Sequence, residues 1–97
     1  MNQNIEDSRW VYVMVQNSGT NDQIVGQIDK ERKINFIPTF LTKEAAQQAI
    51  LFIPKQKGIK IEIQAIIYED LSHYASNNDF LIFILDENGK ILSMPLS

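Results

Sequence analysis

The sequence predicts an α+β fold: a single domain with a mixed, mainly antiparallel sheet and two helices packed on it. Three observations predict this class. Segments rich in β-branched and aromatic residues recur, two other segments show helical spacing, and an Asn-Gly pair separates the last two apolar segments. The expected element order, βββαβαββ, is typical of α+β domains. We place the domain over residues 9–97, after a polar N-terminus at residues 1–8 that we expect to be frayed or disordered.

Three strands are expected before the first helix. Residues 10–15 are apolar on both faces, which is typical of a central strand. Residues 23–28 and 33–38 flank a four-residue connection and predict a β-hairpin. Because Pro38 has no N–H to donate, we expect its strand to end there or to lie at a sheet edge.

The first helix and the strand after it have the clearest patterns. Thr42 is a good N-cap residue, and Glu44 lies in the first turn, where the helix dipole favours an acid. Apolar residues then recur at helical spacing up to Ile53, and Pro54 is expected to end the helix. Residues 59–65 alternate apolar and polar side chains, which predicts a strand with one buried face, extended by the next two isoleucines.

The C-terminal third is expected to form a short helix and a hairpin. Residues 69–77 begin with two acids and carry apolar side chains at helical spacing, which predicts the second helix. Residues 80–85 and 90–94 are predicted to pair through a turn over residues 86–89. That turn ends in Asn-Gly, the strongest short-range signal for a hairpin.

Composition narrows the class of protein. The hydrophobic fraction of 44% and the charged fraction of 22% are ordinary for a globular domain. The absence of cysteine excludes disulfides and thiolate chemistry. No apolar run is long enough to cross a bilayer, and residues 1–8 do not resemble a signal peptide. We therefore expect a cytoplasmic protein with no membrane association.

Charge is distributed unevenly along the chain. The net charge of −3 divides into −3 over residues 1–29, +5 over residues 30–60 and −5 over residues 61–97. Lys55, Lys57 and Lys60 form a candidate basic patch in the middle segment. The patch lacks the interleaved aromatic residues of single-strand binders, so we expect solvated lysines and no nucleic-acid partner.

A polar cluster on the second helix is the candidate site for a small ligand or for acid–base chemistry. It comprises Glu69, Asp70 and His73, and His73 is the single histidine of the chain. Stabilisation of the helix start and local ion pairing are sufficient explanations for all three residues. We therefore predict no catalytic residue, no metal site and no cofactor, and an enzyme or small-ligand protein remains the alternative.

Surplus apolar strand surface favours a different function. Residues 80–85 are apolar on both faces, and one layer of helices covers one face of a sheet. Unless the two helices lie on opposite faces, the remaining surface needs another cover. The sequence therefore predicts a non-enzymatic protein-binding, adaptor or self-associating module, such as a homodimer. The residues expected in the buried or shared surface are Phe80, Ile82, Phe83 and Ile84.

One segment resembles a motif of two known families. Residues 36–46 read Phe-Ile-Pro-Thr-Phe-Leu-Thr-Lys-Glu-Ala-Ala. They resemble the Pro-x-Phe-(x)-Thr-x-Glu-x-Ala segment of SseB-like domains and of the Tic22-like family, in which a strand runs through a proline and a phenylalanine into a capped helix. Relative to the SseB pattern, Leu41 is inserted before Thr42. The resemblance implies a binding or chaperone-like module and brings no catalytic residues with it.

Overall fold

The computed structural model describes residues 5–17, 22–52 and 60–93. Within those residues, seven strands and two α-helices follow one another in the order ββββαβαββ. The strands are β1 (Trp10–Asn17), β2 (Asp22–Ile24), β3 (Gln27–Asp29), β4 (Ile34–Phe40), β5 (Lys60–Ile67), β6 (Leu81–Leu85) and β7 (Ile91–Ser93). The helices are α1 (Lys43–Ala49) and α2 (Tyr68–Asn77). The predicted α+β class is confirmed.

The strands form one mixed sheet in which β1 and β4 are central. Its main order is β5-β1-β4-β6-β7, and β4–β6 is the parallel pair among antiparallel ones. β1 pairs with β4 near its start and with β2 near its end. β3 pairs with the first residues of β4, on the edge that faces β1. The two short strands therefore occupy the space where β1 and β4 diverge.

Pro38 lies inside a central strand, so the prediction that its strand ends there or lies at an edge is wrong. β4 continues to Phe40, with β1 on one side and β6 on the other. Extending the β1–β4 register would bring Pro38 opposite Met14. The carbonyl of Met14 instead accepts a hydrogen bond from the Val25 amide at 2.9 Å. The missing proline N–H therefore leaves no acceptor on β1 unsatisfied.

The strand predicted over residues 23–28 is divided in two. β2 ends at Ile24 and β3 begins at Gln27, with Gly26 between them. The predicted hairpin does form between β3 and β4, where Asp29 pairs with Ile34. In its turn, Lys33 adopts a positive φ of 57°.

The first helix begins as predicted but ends earlier. The hydroxyl of Thr42 accepts a hydrogen bond from the Ala45 amide at 3.1 Å, which confirms the N-cap. The α-helix ends at Ala49 and continues as a 3₁₀ turn over Ile50–Phe52. Ile53 and Pro54, the predicted end of this helix, lie outside the described residues.

The second helix and the final hairpin form close to the predicted bounds. The amide of Asn78 bonds to the Tyr74 and Ala75 carbonyls at the end of α2. In the turn between β6 and β7, the Asp86 carboxylate accepts hydrogen bonds from the Asn88 and Lys90 amides, at 2.8 and 2.9 Å. These hydrogen bonds join residues at most four positions apart, so the residues of the turn are sufficient to specify its geometry.

The two helices lie on opposite faces of the sheet. On the face that we call the α1 face, Ala46 and Ala49 of α1 form a core with Met14, Phe40 and Phe83. On the α2 face, Leu71 and Ala75 of α2 form a second core, with Val11, Val13, Val15 and Ile37. The prediction of surplus apolar strand surface required both helices to lie on one face of the sheet. The structure does not meet that requirement. Neither helix is long and apolar enough to cross a membrane, within the residues that the structure describes.

Candidate interaction edge

The predicted polar cluster lies on the solvent side of α2. Glu69, Asp70 and His73 are all exposed, whereas Leu71 and Ala75 on the other side of the helix are buried. The two acids lie in the first turn of α2, which has no side-chain N-cap. There their charge stabilises the positive end of the helix dipole. Across the described residues, no three histidine, aspartate or glutamate side chains converge as metal ligands.

The structure describes one of the three lysines of the predicted basic patch. Lys60 is exposed at the first position of β5, opposite Asn17 of β1. Lys55 and Lys57 lie outside the described residues, so their grouping with Lys60 stays a prediction.

The four apolar residues expected in a buried or shared surface contribute to the protomer's own packing. Phe83 is 1% exposed and Ile84 is 3% exposed. The ring of Phe83 stacks on that of Phe36 with centroids 4.4 Å apart. Phe80 and Ile82 are partly buried and pack against the core of the α2 face. A partner reaching Phe83 or Ile84 would have to displace the chain's own side chains.

Among the described residues, the longest strand edge without a partner strand belongs to β5. This strand pairs with β1 along all eight of its residues, and no strand among the described residues pairs with its other edge. The other strands with one partner, β2, β3 and β7, have three residues each. A long edge presents a row of N–H and C=O groups that can pair with another chain, whereas short edges offer few such groups.

Backbone hydrogen bonds determine which groups of β5 point outward. The amide of Tyr68 donates to the carbonyl of Arg9 at 2.8 Å, and these residues are opposite each other in the register that pairs Trp10 with Ile67. Hydrogen-bonded and non-hydrogen-bonded pairs alternate along an antiparallel ladder. The even-numbered residues of β5 therefore bond to β1. The N–H and C=O groups that point outward are those of Ile61, Ile63, Ala65 and Ile67.

The side chains along β5 separate by face. The same four odd-numbered residues lie on the α1 face, because Ile63 and Ala65 pair with Met14 and Tyr12 of β1. The side chains of Glu62 and Gln64 are exposed on the other face. Both charged residues of the strand, Lys60 and Glu62, lie on that second face. The edge thus carries one apolar row without charge and a second row, Lys60, Glu62, Gln64 and Ile66, that is polar except at Ile66.

An exposed tryptophan extends the apolar row. Trp10 is 55% exposed and lies opposite Ile67, at the end of the β1–β5 ladder. By strand alternation it shares the α1 face with Tyr12 and Met14. Exposed aromatic surface beside an apolar strand edge is a feature of protein-binding surfaces.

Sequence reasoning found the strand but missed the edge. The alternation in residues 59–65 predicts a strand with one buried face, and β5 is half-buried at Ile61 and Ile63. The order of strands in the sheet depends on non-local pairing, which the alternation does not encode. Residues 60–67 include two charged residues, Lys60 and Glu62. This scarcity of charge indicates a binding edge only once the strand is known to lie at the edge of the sheet.

No protein-family model matches the chain, and neither a curated protein nor a solved structure is significantly similar to it. The resemblance to SseB-like and Tic22-like domains therefore stays a prediction.

Proposed function

We propose that this chain is a non-enzymatic protein-binding module that accepts a partner's strand at the outer edge of β5. The observation that supports the proposal is the row of outward N–H and C=O groups at Ile61, Ile63, Ala65 and Ile67, beside apolar side chains. In strand addition, main-chain hydrogen bonds supply affinity and alternate side chains supply specificity. We expect the module to act in the cytoplasm, and its lack of cysteine is compatible with a reducing compartment.

The chemistry of the edge defines the partner. A bound strand would place apolar side chains beside the odd-numbered residues of β5 on the α1 face and polar side chains beside Glu62 and Gln64 on the other face. The partner segment is therefore an extended strand with alternating apolar and polar residues. A helical ligand would leave the edge amides of β5 unpaired, at a cost for each buried group.

The test is capture of proteins from lysate by the wild-type chain and by two variants at Ala65. Ala65→Pro removes one outward N–H and keeps the hydrogen bonds to β1, because those bonds come from even-numbered residues. Ala65→Val adds bulk at the same exposed position and keeps the N–H. We expect wild type and Ala65→Val to retain bound proteins that Ala65→Pro loses.

Circular dichroism and thermal unfolding establish that all three proteins are folded. Equal capture by Ala65→Pro and wild type would contradict strand addition at β5. If Ala65→Pro does not fold, Ile67→Pro replaces it, because the Ile67 N–H also points outward and its φ of −70° suits a proline.

A further inference from the structure

We infer that the partner strand is β5 of a second copy, paired antiparallel about a two-fold axis at Gln64. This inference rests on the proposed function and specifies its partner. A two-fold axis perpendicular to the sheet keeps the α1 faces of both copies on one side, and it gives an isologous interface. Two sheets of seven strands would then continue into one another through β5.

The outward backbone groups restrict the register. In an antiparallel pair, residues with outward groups must be opposite one another, so odd-numbered residues of one β5 face odd-numbered residues of the other. With the axis at Gln64, Ile61 faces Ile67 of the second copy and Ile63 faces Ala65. Each of these pairs can exchange two N–H···O bonds. All outward groups of β5 are then paired.

Neighbouring registers fit less well. With the axis at Ile63 or at Ala65, the outward groups of Ile67 or of Ile61, respectively, would have no partner within the bounds of the second β5. With the axis at Glu62, that carboxylate would face its own copy, and like charges directly opposite each other are destabilising. The register centred on Gln64 avoids both problems.

The side chains of the Gln64 register are also self-complementary. On the α1 face, isoleucine faces isoleucine or alanine, so the apolar rows of the two copies join. On the other face, Glu62 is opposite Ile66, and the two Gln64 amides face each other across the axis and can exchange a hydrogen bond. Lys60 is opposite Tyr68 of the second copy. No like charges meet in this arrangement.

A cysteine introduced at Gln64 tests the position of the axis, because the chain contains no other cysteine. Gln64 would form a non-hydrogen-bonded pair with its own copy, with Cα atoms about 4.5 Å apart, within the range that a disulfide spans. We expect Gln64→Cys to form a covalent dimer on mild oxidation. The controls are Glu62→Cys on the same strand and Gln47→Cys, which is exposed on α1. Cross-linking that is no faster at Gln64 than at Gln47 would overturn the inference.

Opposite charges at Gln64 supply a second test that leaves the backbone unchanged. We expect Gln64→Lys and Gln64→Glu each to weaken self-association about fivefold, because like charges then meet on the axis. Mixing the two variants should restore a heterodimer at least as strong as the wild-type dimer. Sedimentation equilibrium of each protein and of the mixture measures this. A mixture that associates no better than either variant alone would count against the pairing.

The failure of this inference can be distinguished from failure of the proposed function. Suppose that the wild-type chain is monomeric at high micromolar concentration but captures proteins that Ala65→Pro does not. That result would contradict pairing with a second copy and would support strand addition by a different protein. A monomer whose captured proteins are unaffected by Ala65→Pro overturns both. Self-association that Ala65→Pro and Gln64→Lys both weaken supports both.

Discussion

At Gly26, between β2 and β3, the backbone lies against the ring of Phe80. A Cβ atom added there would clash with Cε1 of that ring and would be 2.7 Å from Cζ. We expect Gly26→Ala to lower the free energy of unfolding by about 1–3 kcal/mol, the range for overpacking. Leucine lacks the two clashing ring atoms, so Phe80→Leu should recover part of this loss. Urea unfolding of both single variants and the double variant measures the coupling, and strictly additive losses would argue against the clash.

The last residue of β3, Asp29, carries a carboxylate that the following turn stabilises in its charged form. Asp29 accepts a hydrogen bond from the Arg32 amide at 3.1 Å, pairs with the Arg32 guanidinium and accepts from the Glu31 amide at 3.1 Å. The Arg32 backbone and side-chain hydrogen bonds, in that order, lower the pKa of Asp29 below its ordinary value of 3.8. A lowered pKa in the folded state means that this stabilisation is present above 3.8 and is lost as the pH falls through the folded-state value.

The variant Asp29→Asn removes the charge at residue 29 and keeps the geometry of the turn. Its side-chain oxygen can still accept from the two backbone amides, but it carries no charge. We expect the wild-type chain to have a slightly higher Tm than this variant at neutral pH, and the difference to vanish well below pH 3.8. Added salt should also reduce the difference, because the ion pair with Arg32 is exposed to solvent. Thermal unfolding followed by circular dichroism checks both effects, and a Tm difference independent of pH would contradict this account.

Among the elements, β6 passes from an exposed start to a buried end. On its α1 face, Leu81 is 37% exposed and Phe83 is 1% exposed. We expect Phe83→Ala to cost about 3–5 kcal/mol, because it leaves a cavity beside Phe36. Leu81→Ala, the matched control on the same strand and face, should cost less than half as much. Denaturant midpoints measure both, and similar losses would mean that Phe83 is less tightly packed than its burial indicates.

Elements specified by local chemistry were predictable from the sequence. The Thr42 cap, the Asn88-Gly89 turn and the helical spacing of α2 each depend on residues a few positions apart. The tolerance of Pro38 in a central strand was not predictable, because it depends on Val25 supplying the hydrogen bond to Met14 from another strand. The placement of the helices on opposite faces was equally non-local. Because of that placement, Phe83 and Ile84 are buried in the core of the protomer.

The candidate site shows the same division between local and non-local information. Alternation identified the strand, and the sequence alone shows where its two charged residues are. Which backbone groups point outward follows from the bond between Tyr68 and Arg9, which are far apart in the chain. An edge is a property of the whole sheet and cannot be seen in the strand itself.

For the whole molecule, amide hydrogen exchange should follow the alternation along β5 and depend on protein concentration. In dilute solution, the amides of Glu62, Gln64 and Ile66 should exchange slowly, because they bond to β1, and those of Ile61, Ile63 and Ala65 should exchange faster. Pairing with a second copy should slow exchange at the odd-numbered residues as the concentration rises, and leave the even-numbered ones little changed. NMR exchange at several concentrations measures this. Odd-numbered amides already as slow as their neighbours in the dilute monomer would mean that the chain covers this edge itself.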